Sequence, residues 1–273
     1  MDTRTQAEAI IRDAAAANEP LAIARVALAF AAFERARVGL DRYLEHLDRL
    51  AADVAKHSAD HPGEHWQALS EVVAGEHGYR GDELTYDDPQ NANLMRVIDR
   101  RKGLPVALGI LYIETGRRLG WKVEGLSFPA HFLIRLESEG SRKILDPFHG
   151  GVERRTPELR SLLKSLQGAD AELEPAYFEP VPDRAVLLRL QNNIKIRLIR
   201  SGDLRGAIEV VTRMRWLAPD ELDLMREAGL IHARLGEIHS AIERLEEYVR
   251  AETREPLRHR AARTLQSLKA QLH

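Results

Sequence analysis

The sequence predicts an α+β protein, with a helical N-terminal layer and a small antiparallel sheet followed by an all-α region of repeated helix pairs. Three observations lead there. Alanine- and leucine-rich stretches with helical spacing fill the first part of the chain, two short apolar runs flank a polar turn near its middle, and a helical motif recurs at fixed spacing late in the chain.

The first layer is carried by "PLAIARVALAFAAFERA" and "LDRYLEHLDRLAADVAKH". Tyr43, Leu44, Leu47, Leu50 and Val54 recur at threes and fours, the stripe one buried helix face needs. The pattern holds to about Gly78, where "GYRGDELTYDDPQNANL" interrupts it with the Gly, Asp, Pro and Asn of a surface loop. A short helix is then expected in "NANLMRVIDRRKG", ended by Gly103. A second is expected in "LPVALGILYIETGRRLG", with Pro105 in its first turn and Gly120 just past its end. Val106, Leu108, Ile110, Leu111 and Ile113 make this second helix apolar over most of its circumference, so it belongs in the middle of the domain.

"WKVEGLSFP" reads as a strand. Beside it, "HFLIRL" and "KILDPF" flank the polar "ESEGSR", a β-hairpin with His131 near one strand and Asp146 on the other. Beyond "PFHGGVERRTPELRSLLKSLQG" and the proline-bearing linker "LEPAYFEPVPDRA" the chain turns helical for good. Laying "SGDLRGAIEVV" over "LGEIHSAIERL" puts Gly202 on Gly236 and Ala207 on Ala241, a period of 34 residues that matches the tetratricopeptide repeat. Pro219 falls where such a repeat ends its second helix, Thr253 replaces it in the second copy, and "EPLRHRAARTLQSLKAQLH" would close the stack. The expected division is a first domain over 1–170, a linker over 171–185 and repeat helices over 186–273.

Bulk properties exclude several function classes. At 44% hydrophobic and 30% charged, with a formal charge of −2, the chain has no general affinity for nucleic acid or an anionic membrane. Met1 to Glu19 lacks the continuous apolar core of a secretory signal, and no uncharged run approaches the roughly 18 residues of a spanning helix. A cytoplasmic location follows as the expectation. Zero cysteines exclude disulfides, thiolate metal sites and a cysteine nucleophile.

"NANLMRVIDRRKGLPVALGILYIETGRRLGWKVEGLSFPAHFLIR" followed by "ILDPFHGG" resembles the SirB family, a transglutaminase-like core joined to C-terminal tetratricopeptide repeats. The "GLP", "FPAHF" and "LDPFHGG" elements, in that order, carry the resemblance. It implies a papain-like core in which a cysteine opens the buried helix and a histidine and an aspartate follow on successive strands. The histidine position resembles His131 and the aspartate position Asp146. The cysteine position, two residues after Gly103, holds Pro105, so thiol chemistry is closed to this chain. The dyad reads as vestigial, and the protein as a non-catalytic interaction or regulatory module that acts through its repeats and its vestigial cleft.

Other readings stand beside that one. The His131 and Asp146 pair is equally a buried imidazole hydrogen-bonded to a carboxylate for structural reasons, or a base and its orienting acid that activate water or a substrate hydroxyl. Ser127 is a poor substitute nucleophile, since an offset of four along an extended strand leaves it about 13 Å from His131. His131, Asp146 and His149 offer metal-ligand atoms, but without the spacing of a helical His-Glu-x-x-His, so no metal and no other cofactor is called. "DRRKG" is a solvated helix end or, through Arg101, a basic rim to the cleft. Asn91 and Asn93 are turn and cap residues, Asn93 also a candidate cleft residue with His149, and Asp87, Asp88 and Pro89 belong to the turn. "HGG" supplies a tight turn. In the repeats, Met214 and Trp216 read as packing residues. Arg197, Arg200, Arg205, Arg213 and Arg215 could line a groove for a protein or peptide partner of acidic character.

Overall fold

A computed structural model describes residues 2–60, 64–138 and 140–272. Glu139, in the expected hairpin turn, and His273, at the end of the expected closing helix, lie outside the described residues. The chain divides into two compact units, one of Met1–Ile10 and Asn18–Leu190, the other of Ile11–Ala17 and Gln191–His273.

The first unit is built around one buried helix. The chain forms α1 (Thr3–Ala16), which is shared out between the two units at Ile11, then α2 (Ile23–Ala32), α3 (Asp41–Asp60) and α4 (His65–Ser70), which runs into a wide turn over Glu71–Glu76. After β1 (Arg80–Gly81) come α5 (Leu94–Arg100), β2 (Lys102–Gly103) and α6 (Pro105–Arg118). Every residue of α6 from Pro105 to Ile113 is buried, as its all-round apolar composition requires. Helices α2 and α3 pack on it, and the α3 stripe of Tyr43, Leu47, Leu50 and Val54 is almost wholly buried. Each such leucine removed from water is worth about 1.5–3 kcal/mol.

The short helix ends earlier than its glycine suggested. Arg101, at φ 59°, takes the left-handed position that stops α5, and its amide closes on the Val97 carbonyl. Gly103 serves packing instead, because a Cβ there would lie 2.9 Å from the Val97 side chain. A proline at the start of α6 fits its local role, since the first turn has no intrahelical acceptor for that amide.

The sheet is antiparallel and five-stranded. β3 (Lys122–Leu126), β4 (Ile134–Ser138), β5 (Ser141–Asp146), β6 (Val152–Glu153) and β7 (Pro180–Val181) lie in the order β6-β5-β4-β3-β7. β4 starts at Ile134 rather than at His131, because Ala130 at φ 57° and the His131 amide to the Pro129 carbonyl (2.8 Å) form a tight bend first. The segment read as a linker supplies β7, which pairs with Gly125 and Leu126. Helix α7 (Thr156–Gln167) sets Leu159 and Leu163 against Leu126, Phe128 and Leu133.

Two glycines hold Phe132 between α6 and β3. A Cβ on Gly109 would sit 2.5 Å from the ring's Cδ1, and one on Gly125 would sit 2.7 Å from its Cζ. Gly109→Ala is therefore expected to destabilise the protein by about 1–3 kcal/mol through overpacking. Gly75→Ala, with nothing within 4 Å of its Cβ, should be neutral or slightly stabilising in the same thermal unfolding series.

The second unit continues the helical chain. α8 (Asp183–Ser201) crosses the division between the units, and α9 (Leu204–Leu217), α10 (Leu222–Arg234), α11 (Ile238–Ala251) and α12 (Glu255–Lys269) follow. Gly202 and Gly236, the positions related by the repeat, both have positive φ at the turns before α9 and α11, and Ala207 and Ala241 are fully buried. α12 closes the series by setting Leu265 and Leu268 against Ala241 and Leu245. Among the described residues no helix is long and apolar enough to cross a membrane.

Candidate functional site

"DPFHGG" explains its own geometry. Asp146, the last residue of β5, caps a single turn over Pro147–His149, its Oδ1 accepting from the amides of Phe148 (3.2 Å) and His149 (3.4 Å). Gly150 and Gly151 both sit at φ 74°, and the Gly151 amide returns to the Asp146 carbonyl at 2.8 Å. That turn carries His149 back over the carboxylate.

Asp146 becomes the hub of the constellation. His131 Nε2 lies 2.9 Å from its Oδ1 and His149 Nδ1 lies 2.7 Å from its Oδ2, while Arg154 donates to Oδ2 through Nε (3.1 Å) and Nη2 (2.9 Å). Burial alone would raise the acid's pKa. The hydrogen bond and charge of His131, followed by those of His149, instead hold it well below the usual carboxylate range. The Phe148 ring meets the His131 ring edge-on, at 6.1 Å and 88°, and the two imidazoles stand 5.9 Å apart. His131 is 8% exposed, whereas the His149 side chain is 39% exposed.

With Nε2 turned to Asp146, Nδ1 is the ring nitrogen left for a nucleophile, and the helix start that should supply one supplies buried Pro105. Ser127 is exposed, outside the strand, with its amide on the Glu179 carbonyl. Two members of the surroundings escaped the sequence reading. Arg154 could have been suspected only from the pairing that sets it beside β5. Tyr112, seven residues along α6 from Pro105, has a fully buried hydroxyl without a hydrogen-bond partner, and burial and the Asp146 charge keep it protonated.

The structure does not bring every candidate to this hub. Asn93 caps α5 by accepting from the Arg96 amide (3.1 Å), and its Nδ2 is spent on the Ala31 carbonyl and Glu34 (2.8 Å). Asn91 and Asp88 hold the preceding turn. Arg101 lies over the Tyr79 ring and donates to the Tyr79 hydroxyl and to His46 Nε2 (2.7 Å). There His46 Nε2 also meets Tyr79 Oη at 2.7 Å, and burial, with the Arg101 charge behind it, pushes the imidazole's pKa down to about 4.

The second unit carries a groove of about 770 Å³ along α8 and α10. Its apolar lining includes Ile196, Ile199, Leu230 and Ile231, with Lys195 paired to Glu227 and Arg234 at one side. Of the arginines expected to line a groove, Arg205, Arg213 and Arg215 are drawn to Glu237, Glu209 and Glu247, and Arg197 donates to Asn193. Met214 is buried, and Trp216 packs under Arg12 at 5.0 Å.

Two known families match consecutive parts of the chain. The profile of the transglutaminase-like superfamily matches residues 41–192, and a tetratricopeptide-repeat profile matches residues 194–272. A UPF0162 protein of Xylella fastidiosa is 33% identical over 175 residues, covering 63% of this chain and 62% of the relative, so the chain spans little more than three fifths of that protein's length. A UPF0162 protein of Pseudomonas aeruginosa is 31% identical over 207 residues, with 74% of each chain covered. The protein SirB1 of Salmonella typhimurium is 26% identical over 196 residues, covering 71% of this chain and 72% of that one.

Proposed function

Since the chain belongs to the transglutaminase-like superfamily, we propose that it is a member without thiol chemistry that works as a cytoplasmic interaction or regulatory module, binding a protein partner through its repeats. Repeats of the tetratricopeptide kind generally mediate protein–protein interaction. The observation that carries the reading is the nucleophile position: Pro105 stands at the start of the buried helix, and no cysteine exists elsewhere to replace it. An imidazole 8% exposed, on a carboxylate already held by an arginine and two amides, also argues against the alternative of a dyad that activates water or a substrate hydroxyl. Support for the cytoplasm is compositional only, a highly charged chain without cysteine.

The groove along α8 and α10 suggests the partner's chemistry. Ile196 and Leu230 are each more than a third exposed, so apolar side chains of a peptide or helix would anchor there. Arg234, which lines the groove, is exposed and without an ion-pair partner among the described residues, and would favour acidic residues beside those anchors. Cross-linking in cells identifies the partner. Ile196→Glu and Leu230→Glu are then expected to weaken its capture by about ten-fold or more, while His131→Ala leaves capture unchanged. Turnover of an amide or ester by the purified protein, lost in His131→Ala, would overturn the proposal.

A further inference from the structure

The geometry points to a metal site where the thiol chemistry is missing: we infer that His131, Asp146 and His149 together bind one divalent late transition-metal ion, of which zinc is the type. This stands independently of the interaction reading. The three side chains each offer a ligand atom, and those atoms lie within 4.8 Å of one another. Among the described residues no other three His, Asp or Glu side chains converge in this way. Two imidazole nitrogens and one carboxylate oxygen suit zinc, nickel, copper or iron, whereas magnesium and calcium prefer all-oxygen shells.

The surroundings fit a ligand set. Asp146 is oriented from behind by Arg154 and by the amides of Phe148 and His149, the kind of outer partners that fix a ligating carboxylate. Phe148 stands edge-on to both imidazoles, at 6.1 Å from His131 and 5.2 Å from His149, and so fixes their planes. His149, with 39% of its side chain exposed, gives an ion a way in and leaves coordination positions open to solvent. Binding needs the lone pairs of His131 Nε2 and His149 Nδ1, so a neutral ring moves its proton to the opposite nitrogen and a charged ring releases one proton to solvent. The Arg154 charge beside Oδ2 opposes the ion and lowers its affinity.

The test is a titration of the full chain, stripped with chelator, with Co²⁺ as the spectroscopic probe and Zn²⁺ as competitor. One equivalent of Co²⁺ should develop a visible absorption band that Zn²⁺ abolishes and Mg²⁺ does not. His149→Ala, with the side chain 39% exposed, should weaken binding at least ten-fold, and His131→Gln should do the same. His239→Ala, on the exposed face of α11, is the control and should change nothing. Zinc should also raise the unfolding temperature of the wild type but not of His149→Ala. Absence of a one-equivalent Co²⁺ band, or a band undiminished in His149→Ala, overturns the inference.

Discussion

Asp146→Asn should lower the unfolding free energy by about 3–5 kcal/mol, with the lower end favoured because Arg154 retains access to water at 22% exposure. The carboxylate is fully buried and takes hydrogen bonds from two histidines, one arginine and two amides. Asparagine keeps its shape, but it removes the charge that Arg154 faces and turns an amide N–H₂ toward groups that also donate. Urea unfolding at neutral pH measures the loss. The pH dependence has a definite sign, since a carboxylate whose folded pKa is depressed stabilises the fold above its unfolded value near 3.8 and loses that contribution as pH falls below it. Wild type should therefore show an acid-side loss that Asp146→Asn lacks. A change under about 1 kcal/mol at neutral pH would mean that the hub is dispensable to the fold.

A second acid sensitivity should appear at milder pH, from the cluster of His46, Tyr79 and Arg101. His46 is 7% exposed, and its neighbours Arg101, His77 and Arg49 disfavour a further positive charge, with Asp53 opposing them. Its pKa falls from 6.5 to about 4 on folding, so between those values the unfolded chain binds a proton that the folded chain refuses. Stability is then complete above pH 6.5 and declines as pH falls toward 4, by up to about 3 kcal/mol. His46→Gln keeps a hydrogen-bonding side chain for Tyr79 but cannot titrate. Its stability should vary less over that window, as read by denaturant midpoints at pH 7, 6, 5 and 4. Equal slopes for the two proteins would show that His46 is protonated in the folded state.

These two clusters differ in how far they could be read in advance. His131 and Asp146 were legible because a short apolar run on each side of a polar turn forces two strands to pair, and pairing places their ends together. His149 was visible as a candidate, but only the turn made by Asp146, Pro147 and two positive-φ glycines decides that its ring folds back onto the carboxylate. Arg154 and Tyr112 reach the site from β6's end and from α6, and nothing in their local sequence marks them. Asn93 and Arg101 failed to join because each had nearer partners, a helix cap with Glu34 for one and the Tyr79 ring for the other.

The helical layer, the buried helix with proline at its start, the hairpin, the 34-residue repeat and the absence of a thiol were all legible in the order of amino acids. All of these rest on periodicity, on single-residue backbone limits or on the presence of an atom type, which are properties of a short stretch. The tertiary structure alone decided that a segment read as a linker completes the sheet as β7, that Arg101 rather than Gly103 stops its helix, and that two histidines share one buried carboxylate. Those outcomes depend on which distant groups satisfy a backbone edge or a buried charge, and that is a competition among partners brought together only by folding.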